Sequence, residues 1–266
     1  MVLPFKYSTC VEINLITGHT WHGSRKVAIE MVRTAASFRN VSVKRGKNLI
    51  IQDLNLEISA GRIIGLLGPS GAGKSTLMRA MVGVQKGVKG SVEILGISAG
   101  AKALLRKVSY ATQASSVFDD LTIAQNLNYT CSILGAQKSE VARVIADVQL
   151  GGYEDRKVGN LSGGQRSRVS LAMAMIGNPD VLILDEPTVG LDPVLRADLW
   201  ELFRSLADSG KTVFVSSHVM DEAERCDQIV FVRDGRVIAS DSLERILQNT
   251  GTNSAEDAFL KLAREN

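Results

Sequence analysis

Cysteine is scarce in this chain of 266 residues: Cys10, Cys131 and Cys226 are the whole set, far apart and without a C-x-x-C pair. An odd number of scattered thiols offers neither a disulfide framework nor a zinc site, and it fits a reducing compartment. Aromatic residues are also few, at 5%, and charge is nearly balanced, with 31 Lys+Arg against 28 Asp+Glu and a net charge of +3. So small an excess argues against a protein that coats nucleic acid, and no direct nucleic-acid contact is expected. Mean hydropathy is slightly positive, at +0.07, yet no run of 18 apolar residues occurs. Stretches such as Ile63–Leu67 are strand-sized, so the chain is not expected to cross a bilayer on its own. Any membrane role must come through a partner. Glu12 and its polar neighbours stand where the apolar core of a signal peptide would lie, so no such leader is expected. What remains is ordinary globular composition, 45% hydrophobic and long enough for a sizeable core.

Residues 1–36 differ from the rest. Val11, Ile13 and Leu15 alternate with Glu12 and Asn14, which hints at a short strand. Met31 opens a stretch that reads like a natural beginning. The segment therefore reads as a loosely attached extension or an overcalled start, or else as an ordered element at the domain's edge. His19 and His22 are expected to be solvated rather than metal ligands. Residues 37–266 read as one domain. Alternating strands fill about 38–58, with Val41, Val43, Leu54, Leu56 and Ile58 facing inward. Arg62–Gly68 is a continuous apolar run of the kind covered on both faces. A glycine-rich loop and a helix from about Lys74 follow. Residues from about 115 to 178 carry helical spacing and predict an inserted helical lobe, with Met173 and Met175 as core packing. Three further strand signals, around 180–187, 211–218 and 227–235, predict a parallel sheet flanked by helices. The tail from about 241 to 266 reads as two short helices.

Gly68-Pro69-Ser70-Gly71-Ala72-Gly73-Lys74-Ser75, with Thr76 next to it, matches G-x-x-x-x-G-K-[ST]. Glycines let successive amides curl around an anion, and the following helix aims its positive end at it. Lys74 supplies charge for β- and γ-phosphates, and the Ser75 hydroxyl can ligand Mg²⁺. Val181–Pro187 reads as a buried strand ending in two carboxylates, Asp185 and Glu186. Sites in open α/β sheets lie at the carboxyl ends of strands. Asp185 is therefore expected on the metal side. Glu186, displaced from the metal by strand alternation, is expected to polarise a water.

Leu161-Ser162-Gly163-Gly164-Gln165 is a second glycine-turned helix start, and so a second phosphate-facing site. One chain with one complete loop has no need of it, so it is expected to serve a nucleotide held by another copy. Here the sequence resembles the ATP-binding cassette (ABC) ATPases, from about residue 38 to the end, with motifs in family order. The resemblance implies an α/β P-loop NTPase fold with an antiparallel β-subdomain and an inserted helical subdomain. It implies ATP and Mg²⁺ as cofactors, Gln113 as a sensor of metal and attacking water, Asp192 as an interface aspartate and His218 as a γ-phosphate contact. It implies a head-to-tail dimer with a second copy or a paralogous ATPase, and an integral membrane permease subunit. The place implied is the cytoplasmic face of the membrane. Arg45-Gly46 stands where family members carry an adenine-stacking aromatic, and an arginine plane can also stack on a base. His218 and Glu222 share an i,i+4 spacing that can also be read as a metal pair, but no third ligand lies nearby. The C-terminal half resembles ABC-2 type exporter ATPases. The alternative is a cassette in soluble regulatory, assembly or ribosome-associated work.

Overall fold

A computed structural model describes residues 33–114 and 116–265. The readings for Cys10, His19, His22 and the strand near residues 11–15 fall outside those residues. The first strand, β1 (Thr34–Arg45), begins three residues ahead of the boundary drawn at 37, and it turns through Gly46-Lys47 into β2 (Asn48–Ser59). Gly46 has φ of 61°, a value glycine reaches without steric cost. With β4 (Val88–Ile94) and β5 (Ile97–Ser98) these form an antiparallel sheet in the order β2-β1-β4-β5.

The second sheet holds β3 (Ile63–Leu67), β6 (Val108–Ala111), β7 (Val181–Asp185), β8 (Thr212–Ser217), β9 (Gln228–Arg233) and β10 (Arg236–Asp241). Its order is β10-β9-β3-β8-β7-β6, parallel except for the β9–β10 pair. The strands β3, β7 and β8 are buried at every position, as expected for strands covered on both faces. Two of the six strands escape the sequence pattern. β6 is four residues of half-buried Val-Ser-Tyr-Ala, and β10 is a half-exposed edge strand without a clean alternation.

The pleat sends alternate residues to different cores. Leu182, Leu184, Val213 and Val215 face a cluster made with α2 (Ile123–Leu134), α3 (Ser139–Asp147), α4 (Gly163–Met175) and α5 (Pro193–Asp208). Val181, Ile183 and Phe214 face the opposite side, toward α1 (Lys74–Met81) and the antiparallel sheet. α2, α3 and α4 make up the helical segment inserted between β6 and β7. A third cluster joins Leu67, Ile229 and Phe231 to α6 (Leu243–Thr250) and α7 (Ala255–Glu265). The connection from β8 to β9 is not an α-helix but a 3₁₀ turn, Met220–Arg225. His218 precedes that turn, so the i,i+4 helical face that would pair it with Glu222 does not exist.

Phe203 is fully buried and meets Trp200 edge-on at 5.5 Å between ring centroids. Phe203→Ala is expected to cost about 3–5 kcal/mol by leaving a cavity under the sheet. Urea titration should show a lower midpoint with an unchanged slope.

Candidate functional site

The carboxyl ends of β3, β6, β7 and β8 meet at one edge of the sheet. From β3 the chain enters the loop 68–73, whose shape needs glycine at its two ends. Gly68 has φ of 157°, and a Cβ there would lie 2.1 Å from the Val232 carbonyl oxygen. Gly73 has φ of 108°, and its Cβ would meet the Ile51 side chain at 2.8 Å. α1 begins without any side-chain cap. Its first amides are therefore free for an anion, and the helix dipole favours one. Lys74 is only 5% exposed, and its Nζ donates to the carbonyls of Gly68 at 2.7 Å and Pro69 at 3.0 Å. Burial lowers its pKa, opposed by Glu186 and then Asp185. The ammonium thus sits folded back on its own loop. A cleft of about 470 Å³ opens there, lined among others by Arg45, Ile50, Lys74, Ser75, Thr76, Gln113 and Glu186.

Asp185 ends β7 at 5% exposure, and Glu186 follows it. Glu186 is set apart not by strand alternation, as the sequence suggested, but by a left-handed backbone with φ of 52° after the strand has ended. That conformation is uncommon for a non-glycine residue and is held here by a specific bond. The Glu186 amide donates to Ser216 Oγ at 2.9 Å, and Ser216 Oγ donates to Asp185 Oδ1 at 2.6 Å. Tyr110 Oη donates to the other oxygen, Asp185 Oδ2, at 3.2 Å. Burial, then the Asp185 charge, pushes the Tyr110 phenol well above its ordinary pKa, so it stays a donor. Neither Tyr110 nor Ser216 was singled out from the sequence. Both stand inside motifs that were, three residues before Gln113 and two before His218.

Glu186 gathers the remaining groups. Gln113 Nε2 donates to Glu186 Oε2 at 2.9 Å, and His218 Nδ1 lies 3.5 Å from Glu186 Oε1. Gln113 also lines the cleft. The Ser75 hydroxyl, the Gln113 side-chain carbonyl and the Asp185 carboxylate are all oxygen donors, a chemistry that would suit a hard divalent cation such as Mg²⁺.

The LSGGQ turn lies outside this cleft. Ser162 Oγ accepts from the Gln165 amide at 3.3 Å and Gln165 Oε1 accepts from the Ser162 amide at 3.0 Å, a complete capping box that starts α4. Ser162 and Gly163 are exposed. A Cβ at Gly164 would meet Leu191 at 3.1 Å and Leu195 at 3.4 Å, so the turn adjoins the loop of Asp192. Asp192 itself caps α5, accepting from the amides of Val194 and Leu195. Arg166 on α4 pairs with Asp119 at 2.6 Å, tying the signature helix to the segment that follows Gln113.

The sequence pattern of the ABC transporter family matches residues 51–189. Over 219 residues the chain is 36% identical to the Nod factor export ATP-binding protein I of Burkholderia orbicola, covering 80% of this chain and 72% of that protein. Among solved structures, an ATP-binding subunit of an ABC transporter superposes with a TM-score of 0.79 at 23% identity, covering 86% of this chain and all of that one. A dimeric ATP-binding cassette in a post-hydrolysis state, bound to ADP and phosphate, superposes with a TM-score of 0.72 at 27% identity, covering 78% and 98%.

Lys74→Ala removes the one ammonium inside the loop. Triphosphate affinity is expected to fall at least tenfold in a fluorescent-nucleotide titration, about 1.4 kcal/mol or more. An unchanged curve would remove Lys74 from the binding site.

Proposed function

This chain belongs to the ABC transporter family, as an ATP-binding and ATP-hydrolysing subunit, and on that premise we propose how its residues divide the work. ATP is held by the amides of the loop 68–73, by Lys74 and by Thr76, with Arg45 and Ile50 as the wall on the base side. Ser75 and Gln113 would hold Mg²⁺, with Asp185 reaching it directly or through water, and the metal supplies charge neutralisation on the transferring phosphoryl group. Glu186 takes the proton of the attacking water. Gln113 and His218 fix its carboxylate from two sides, and His218 also meets the γ-phosphate. The observation that carries this reading is the convergence of Gln113 and His218 on Glu186 at the mouth of the phosphate loop.

Ser162, Gly163, Gly164, Gln165 and Asp192 complete the site of a second copy placed head to tail. This half of the motif faces outward, away from the chain's own cleft. ATP binding closes the pair, and loss of the γ-phosphate lets it open. The export named in the Nod factor relative suggests that the cargo moves outward here as well.

Among the described residues no helix is long and apolar enough to cross a membrane. In the proposed arrangement the transmembrane path belongs to a separate permease subunit, with this chain bound peripherally at the cytoplasmic face, a reading supported by the export relatives. Its docking place is a groove of about 290 Å³ between the parallel sheet and the helical segment, lined by Leu105, Ile133, Met173 and the root of the Gln113 loop. Leu105 and Ile133 are 66% and 65% exposed, far more than isolated apolar side chains of a core need to be. Tyr129, one turn before Ile133 on α2, stacks edge-on with Phe118 and extends the apolar surface.

Two outcomes test the scheme. Glu186→Gln is expected to keep ATP affinity within about twofold, to lower turnover at least 100-fold, and to trap a dimer in gel filtration with ATP and Mg²⁺. A variant of full activity that stays monomeric counts against it. Ile133→Asp is expected to release the chain from membranes of its native host while its ATPase activity in solution is retained. Undiminished membrane recovery would place the docking surface elsewhere.

A further inference from the structure

The register of the parallel sheet places three side chains on the face that α1 covers. Tyr110 on β6 pairs with Ile183 on β7, and Asp185 lies two residues further along the same face. Asp185 pairs directly with Ser216 on β8. The strand to either side of Asp185 therefore presents a hydroxyl to it, and each takes one carboxylate oxygen, Tyr110 at Oδ2 and Ser216 at Oδ1. Beyond these hydroxyls the two strands continue into different loops, one to Gln113 three residues on and the other to His218 two residues on.

Tyr110 has a second face. It lines the groove of about 290 Å³ described above. It also lines a neighbouring groove of about 390 Å³, with Met81, Val82, Val84, Leu104 and Leu105. Leu105 forms part of both grooves, and Val84 is 64% exposed in the second. Tyr110 thus lies at the wall of both grooves and also bonds a buried carboxylate.

We infer that Tyr110 is a positioning residue: its hydroxyl sets the orientation of the Asp185 carboxylate, with Ser216 as its counterpart, and it links that orientation to what occupies the groove beside Leu105. The inference rests on the assignment of Asp185 to the metal side of the nucleotide. A carboxylate pinned at both oxygens has one orientation available, and the rotation of a free one is lost. Contact in the groove moves the ring, the ring moves the hydroxyl, and the hydroxyl turns the carboxylate. Gln113 and His218 reach the same site by different atoms, through Glu186.

The test uses the full chain with the non-hydrolysable analogue AMP-PNP and reads Mn²⁺ binding by electron paramagnetic resonance. Tyr110→Phe keeps the ring and removes the hydroxyl. It is expected to leave AMP-PNP affinity in EDTA within about twofold and to raise the Mn²⁺ concentration for half-saturation roughly fivefold to tenfold. Ser216→Ala should shift it in the same direction, and Asp185→Asn more than either. Leu105→Trp, placed at the exposed wall, should shift half-saturation in the parent but not in the Tyr110→Phe background, a non-additivity that separate effects do not produce. Parent-like Mn²⁺ binding by both Tyr110→Phe and Ser216→Ala, beside a weakened Asp185→Asn, overturns the inference alone. Parent-like binding by Asp185→Asn overturns the metal assignment beneath it. An equal Leu105→Trp shift in both backgrounds, or none in the parent, severs the link to the groove.

Discussion

Lys74 sits at 5% exposure with its ammonium on two carbonyls and two acidic side chains as its electrostatic neighbours. Most of what this site can do follows from that charge balance. One buried cation faces Asp185 and Glu186, and a triphosphate brings several more negative charges into the same cleft. The ammonium alone cannot offset them. The uncapped start of α1 contributes only partial positive charge. A divalent cation held by the oxygen donors Ser75, Gln113 and Asp185, as proposed, would turn that repulsion into attraction. The ammonium is held on its own loop by the Gly68 and Pro69 carbonyls, which a phosphate would have to compete with for its charge.

The parallel sheet is what allows so many separate segments to meet there. Each strand brings one loop to the same edge: β3 the phosphate loop, β6 Gln113, β7 the two acids, β8 His218. Period-two alternation then sorts the residues before the edge. Those facing the helical side, such as Leu184 and Val215, are core. Those facing α1 end in Asp185 and Ser216, where polar groups can pair with each other. A shift of one residue between β7 and β8 would bury the wrong oxygen atoms and break the bond from the Glu186 amide to Ser216 as well. Sheet register and the geometry of the candidate site are here one constraint.

Contiguous motifs are legible in the sequence because their chemistry is local. Gly68–Ser75 and Leu161–Gln165 each spell out a turn and a helix start within eight residues, and the apolar runs of β3, β7 and β8 announce buried strands. β6 was not legible as a strand, because an edge position needs no continuous apolar run and its four residues include a serine and a tyrosine. β10 pairs antiparallel at the opposite edge with half-exposed residues, so neither alternation nor a buried run marks it. The left-handed turn at Glu186 also has no local signature, since glutamate does not favour it. It is imposed from β8, 30 residues away, by Ser216. Tyr110 was hidden for the same reason: its partner lies 75 residues along the chain, and only the pairing of β6 with β7 brings them together.

The three helix starts fit the proposal that one chain supplies half of two sites and not one whole one. α1 begins with no side-chain cap, so its amides await an anion from outside the helix, and its own cleft supplies the place for one. α4 and α5 begin capped, by Ser162 and Asp192. A capping box occupies the amides of Ser162 and Gln165 but leaves those of Gly163 and Gly164 without a cap, and the Ser162 hydroxyl, accepting from Gln165, still has its proton to give. Such an end is stable without a ligand and still offers donors to one. That is the behaviour a surface needs if it meets phosphate only part of the time, when a second copy carries the nucleotide to it. In the proposed scheme the uncapped start binds and the capped starts clasp, and the close approach of Leu191 and Leu195 to Gly164 sets the two capped starts side by side.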